Sequence, residues 1–221
     1  LQEIFKMRSL IFPAILAFLL SACTQSEKKL PILGSREPVE KVVNGQTVVD
    51  TVYQTIPPFR FLNQDSTVIT NMDFDGKIYV ADFFFTSCTA ICPIMHRNMM
   101  NVYEEFKGNT EVKLLSHSID TKYDLPSRLK KYSRKLGLEG TQWEFVHGSR
   151  DEIYGIAEKA YLTSVGEDAD APGGYIHQGW FVLVDKDKRL RGAYDGTDEK
   201  QVEQLIADIL AVEPKDAARY P

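Results

Sequence analysis

Cysteine is scarce in this chain, with three in 221 residues. The disulfide framework that staples small secreted folds is therefore excluded, and each cysteine has to be read by its position. Outside the Cys88/Cys92 pair there is no second pair, which disfavours structural zinc, a metal that ordinarily takes four protein ligands. Positive charge is also short: 26 Lys and Arg against 31 Asp and Glu leave a formal net charge of −5. Without a basic excess there is no general attraction to a phosphate backbone, and nucleic acid is not an expected partner. Internal repeats are absent, which removes solenoids and propellers from consideration. The apolar run at residues 10–20 is interrupted by Pro13 and falls short of the roughly 20 residues that span a bilayer. What is present, 43% hydrophobic and 26% charged residues, is the composition of one ordinary globular domain with short additions.

Lys6 and Arg8 precede the apolar run, and Leu20-Ser21-Ala22-Cys23 follows it. A basic start, an apolar middle and small residues before a cut describe a secretory signal peptide, here residues 1–22. The tetrad ending in Cys23 resembles the lipobox of bacterial lipoproteins, in which the Cys thiol is acylated and becomes the first residue of the mature chain. That resemblance implies a lipid anchor at Cys23 and a membrane-held protein facing the periplasm or the cell exterior, where buried acyl methylenes retain it and disulfides persist.

Residues 23–46 are polar, contain Pro31, Gly34, Pro38 and Gly45 and lack sustained periodicity, which predicts a flexible tether ahead of a folded domain at residues 47–221. Short strands are expected at 48–53, 59–62 and 68–70, around the Pro57-Pro58 break and before the Asp75-Gly76 turn, as a β-rich lead-in. Residues 78–85 form a continuous apolar run with one Asp, the mark of a strand buried on both faces of a parallel sheet. Helix 93–106, strand 112–119, helix 125–136, strand 143–146 and helix 151–160 follow, with Pro93 and Pro126 suited to first turns and Gly108 and Gly137 beyond the ends. Residues 163–174, rich in acid, Gly and Pro, read as a loop. Strands 180–184 and 190–194 flank Asp185-Lys186-Asp187-Lys188 as a hairpin, and helix 202–210 closes the domain. The alternation predicts an α/β fold with a mixed central sheet flanked by helices.

Cys88 and Cys92 stand at i and i+4 where the buried strand gives way to a helix, a junction that collects ligands and catalytic groups in α/β sheets. The positive end of a helix stabilises thiolate, so the pKa of these thiols is expected to fall and their reactivity to rise. Soft thiolates prefer copper(I), while imidazole accepts copper in either common oxidation state. The dithiol by itself leaves metal binding, redox exchange and a structural disulfide all open. His177, in Gly173-Gly174-Tyr175-Ile176-His177, precedes the strand at 180–184. If that strand packs beside 78–85, the His177 loop lies at the edge where the cysteines emerge, and three ligands from two loops converge.

Three segments together resemble the Sco (SenC) family over about residues 57–210: Phe83-Phe84-Phe85-Thr86-Ser87-Cys88-Thr89-Ala90-Ile91-Cys92-Pro93, Leu115-Ser116-His117-Ser118-Ile119-Asp120, and His177 ahead of Phe181-Val182-Leu183-Val184-Asp185. Cys-x-x-x-Cys-Pro alone is moderately specific, and the downstream His makes the match strong. The resemblance implies a thioredoxin-like fold, copper(I) or copper(II) held by Cys88, Cys92 and His177, and maturation of the dinuclear copper centre of cytochrome c oxidase. The implied partners are the copper-site subunit of the oxidase or other copper chaperones. An alternative function, a membrane-tethered thiol-disulfide oxidoreductase or redox sensor, needs only Cys88 and Cys92 as a redox-active pair. Two departures matter. Many relatives carry Val-Asp just before the His, where this chain has Tyr175-Ile176, so the acceptor for the other ring nitrogen of a ligating His is unidentified. Gly179 stands about where thioredoxin-like reductases carry a cis-proline, which favours metal over disulfide exchange.

Other residues are read as structural. Met95 and Met99 share a helical face as core filling, with Met100 beside them. His96, His117 and His147 repeat no metal-binding spacing with a second ligand. Asp82, inside the buried run, needs polar partners and is expected either to tune the dithiol or to cap a loop. Glu167, Asp168 and Asp170 read as a solvated acidic surface able to meet a basic partner.

Overall fold

A computed structural model describes residues 30–212 apart from residue 139. The expected signal peptide and Cys23 lie outside the described residues. The centre is a seven-stranded mixed sheet in the order β11-β10-β5-β6-β7-β3-β4. Its strands are β3 (Arg60–Asn63), β4 (Val68–Thr70), β5 (Ile78–Phe84), β6 (Val112–Ser118), β7 (Trp143–His147), β10 (Trp180–Val184) and β11 (Leu190–Asp195). β5, β6 and β7 run parallel, and β10 and β3 flank them antiparallel. The helices are α1 (Cys92–Glu105), α2 (Pro126–Lys135), α3 (Arg150–Lys159) and α4 (Glu199–Val212). This is the expected thioredoxin-like α/β arrangement.

All seven residues of β5 are buried, because both of its faces are covered. On one face Tyr79 and Phe83 meet Phe74, His117 and Tyr161; on the other Asp82 and Phe84 meet His96 of α1. Met95 and Met99 are fully buried, as core filling requires. Pro93 occupies the first turn of α1 and Pro126 opens α2, where a missing amide proton costs nothing. Ser149 and Glu152 form a reciprocal capping box at the start of α3.

Two segments differ from the sequence reading. Part of the expected tether is folded: β1 (Arg36–Val43) pairs antiparallel with β2 (Gln46–Tyr53) in a separate hairpin. Asn44 and Gly45, with φ of 52° and 78°, supply the left-handed pair that a two-residue hairpin turn demands. The loop at 163–174 likewise contains β8 (Val165–Glu167), which pairs with β9 (Tyr175–His177) in a second two-stranded unit outside the main sheet. Three-residue strands leave too little periodicity to be seen in the sequence.

Candidate metal centre

The thiol loop begins where β5 ends and is pinned immediately. The backbone amide of Thr86 donates to Asp124 Oδ2 at 2.8 Å, its hydroxyl donates to the same carboxylate, and Arg128 Nε donates to Thr86 Oγ1 at 2.7 Å. The amide of Cys88 returns to the carbonyl of Phe85 at 3.1 Å, which turns the chain toward α1. Cys92 is the first residue of α1 and is buried; Cys88, on the loop, is half-buried. Both are free thiols.

His177 arrives from β9, with Nε2 3.2 Å from Cys92 Sγ. The three donor atoms of Cys88, Cys92 and His177 lie within 4.8 Å of one another. Metal bonds of about 2.0–2.3 Å place the donors around one ion at most about 4.6 Å apart. The donor set therefore fits a single ion after small side-chain rotations. A cavity of about 170 Å³ opens above it, lined by Phe85, Cys88, Ile91, Pro172, Tyr175 and His177 among others. A roomier cleft of about 790 Å³ between residues 54–61 and α3 contains no thiol or imidazole, so cavity size does not locate the chemistry.

The two thiols are not equivalent. The neighbouring Cys92 thiol favours the Cys88 thiolate and holds its pKa down to about 4 from 9.0, with His177 and the backbone amides of Ala90 and Cys92 assisting against partial burial. Cys92 moves the opposite way, far above the usual thiol range: it keeps the proton it shares with Cys88, and burial opposes a second charge there. The expected fall in pKa is therefore seen at Cys88, where the neighbouring Cys92 thiol is its main cause, and is overturned at Cys92. Its position at the start of α1 is outweighed by the neighbouring thiolate and the dry surroundings.

Asp82 lies on the α1 face of the sheet and caps no loop. Its carboxylate accepts from the Ser116 hydroxyl and lies 3.2 Å from His96 Nε2, while His96 Nδ1 is 2.6 Å from the Tyr132 hydroxyl. Its charge adds only slightly to the raised Cys92 pKa, behind the Cys88 sulfur and burial. His96 and His117 are core residues far from solvent, and burial presses the His117 pKa down to about 4 from 6.5. Glu167 faces Arg150 at 3.2 Å and Lys122 at 3.8 Å.

Tyr175 and Asp120, to which the sequence assigned no role at the site, stand beside the donor set. The Tyr175 hydroxyl donates to Asp120 Oδ1 at 3.0 Å, and its ring packs on Phe85 at 5.1 Å. Burial and then the Asp120 carboxylate push the Tyr175 pKa up, which keeps the phenol a donor. His177 stands edge-on to the same Phe85 ring, and its Nδ1 is buried with no hydrogen-bond partner among the described residues. The available signal was the departure at Tyr175-Ile176, which marked a missing acceptor without showing what replaced it.

The SCO1/SenC family model matches residues 49–212. The chain is 33% identical over 171 residues to the SCO1 protein homolog of Bacillus subtilis (strain 168), which covers 75% of this chain and 86% of that one. Among solved structures it is similar to BsSco, a member of the Sco family of cytochrome c oxidase assembly proteins in which a disulfide switch was identified. That likeness has a TM-score of 0.64 and 30% identity and covers 72% of this chain and 93% of the other. It is also similar to ScoI of Bradyrhizobium japonicum with copper bound, at TM-score 0.60 and 20% identity over 72% of this chain and 99% of that one, a likeness of fold.

Proposed function

This chain belongs to the SCO1/SenC family, and on that premise we propose that it is a copper metallochaperone for the dinuclear copper site of cytochrome c oxidase. Cys88, Cys92 and His177 hold the ion, which passes by ligand exchange to the copper-site subunit or arrives from another copper chaperone. The observation that carries this reading is the convergence of two sulfurs and one imidazole nitrogen within 4.8 Å. Two thiolates with one imidazole make a soft set that suits copper(I) and tolerates copper(II). Cys88 is already charged at neutral pH and partly open to solvent, so it is the donor that meets the incoming ion first. Cys92 releases its proton as the metal binds, a coupling that weakens retention in acid.

Export and attachment belong to the same reading. Residues 1–22 are removed as a signal peptide, Cys23 carries lipid, and the domain works on the outer side of the membrane. Among the described residues no helix is long and apolar enough to cross a bilayer.

Titration of the reduced protein with copper, followed by optical spectroscopy, tests the copper reading. One ion per chain with thiolate-to-copper(II) charge transfer is expected, and no copper retained after equilibrium dialysis would refute it. A second reading has its own support: a low-pKa outer thiol backed by a buried protonated one is the arrangement of a thiol-disulfide oxidoreductase. His177→Ala separates the two. If oxidase assembly in cells survives that change while Cys88→Ser or Cys92→Ser abolishes it, copper ligation is not the function.

A further inference from the structure

Resting on the copper reading, we infer that Tyr175 is a positioning residue: its hydroxyl, bonded to Asp120, fastens the β8–β9 flap over the thiols and so sets His177 as a ligand. A metal-ligating His is ordinarily oriented by an acceptor on its other ring nitrogen. Here Nδ1 of His177 is buried and has none among the described residues, so the strand that carries the ring and the Phe85 ring beside it are what orient it.

That strand is poorly supported by its own pairing. β8 and β9 are three residues each and pair only with one another, and a lone two-stranded hairpin is marginal in water. The flap is held by side chains. Glu167 reaches Arg150 and Lys122, but all three are exposed, and such pairs contribute little. Tyr175 is different in kind. Alternation along β9 places Tyr175 and His177 on one side and the exposed Ile176 on the other. The phenol of Tyr175 reaches inward to a carboxylate that is only 3% exposed.

Asp120 is itself fixed, and its turn also holds the sulfur side of the site. Asp120 Oδ1 accepts from the amide of Tyr123 at 3.1 Å, and the Asp124 amide closes the turn on the Asp120 carbonyl at 3.0 Å. Asp124 in turn accepts from Thr86, two residues before Cys88. One short turn thus grips the thiol loop through Asp124 and the imidazole strand through Asp120. Phe85 completes the frame, touching Tyr175 on one side and His177 on the other.

Tyr175→Phe removes the hydroxyl and keeps the ring on Phe85. The experiment compares wild type, Tyr175→Phe and His177→Ala as full folded domains, using copper competition against a chelator, copper(II) electron paramagnetic resonance, and amide exchange of the metal-free protein. Tyr175→Phe is expected to bind copper about 10-fold more weakly, the loss typical of an outer partner. Its nitrogen hyperfine splitting should be weakened or heterogeneous, and amides of residues 165–177 should exchange faster while the rest of the domain is unchanged. A purely structural role for Tyr175 would lower stability without altering the nitrogen signal of the folded fraction. Wild-type affinity, splitting and flap exchange in Tyr175→Phe would overturn the inference, and copper loss in His177→Ala would then leave the copper reading standing. A wild-type protein that binds no copper would overturn both.

Discussion

The sulfur side and the nitrogen side of the donor set are built differently. Cys88 and Cys92 hang from the end of a fully buried strand and the first turn of a helix, with the loop between them tied to Asp124. His177 rides on a two-stranded flap that makes no strand pairing with the central sheet. Opening the first region means disturbing the central sheet, whereas opening the second means releasing side-chain contacts such as Val165 and Tyr175 against the core. On the proposed copper-carrier function, that inequality would let the sulfurs keep hold of the ion while the imidazole left first.

The comparison is broken most severely from its rigid half. Cys88→Ser or Cys92→Ser is expected to abolish copper retention in dialysis while the fold persists by circular dichroism; retention in either variant would mean the sulfurs are not the principal hold. His177→Ala should weaken binding by about 100-fold or more, beyond the range of outer partners, and should leave the sulfur charge-transfer band in place but shifted. A band unchanged in position and affinity would place the imidazole outside the metal's reach. The rigid half also has its own acid weakness at His117. Its pKa when folded is about 4, against 6.5 for an unburied imidazole. Between those values the unfolded chain takes a proton that the folded core refuses, so stability falls as pH drops from 6.5 to 4. The loss is about 2–3 kcal/mol by linkage. Denaturant titrations at pH 7 and 4.5 should show it, and His117→Phe should flatten it. The smallest effect is within the thiol pair itself. Alkylation of the reduced protein should modify Cys88 first, at a rate nearly constant from pH 8 to 5 and falling through about 4, because the thiolate persists down to its lowered pKa. Equal labelling of Cys92 would contradict the asymmetry.

Much of the rigid half was legible in the sequence. An unbroken apolar run fixes a doubly covered strand, and Pro93, Pro126 and the glycines bracket helices within a residue or two of where they lie. The dithiol stood out by spacing, His177 joined it through the family resemblance, and the structure brings all three together. The flap was not legible. Its strands are too short for periodicity, and its fastening joins Tyr175 to a residue 55 positions away, which no local pattern encodes. Of the hairpin at 36–53 the second strand was expected, at 48–53, and the first was not, because the polar composition before residue 46 argued for a tether. The opposed behaviour of the two thiols depends on burial and on their closeness to one another, both properties of the folded chain.

The β1–β2 hairpin shortens the leash. The Gln54 amide bonds the Ser35 carbonyl at 2.9 Å, so the chain leaves and returns to one point and residues 36–53 add nothing to reach. Further back, Arg191 clasps the carbonyls of Leu30 and Pro31 against the domain. If Cys23 carries lipid as proposed above, the seven residues from it to Leu30 could span at most about 25 Å, in place of the roughly 80 Å that a free stretch to residue 46 would allow. The copper-carrying face would then patrol a shell about one domain deep, and only recipients that present their metal site close to the bilayer surface would come within its range.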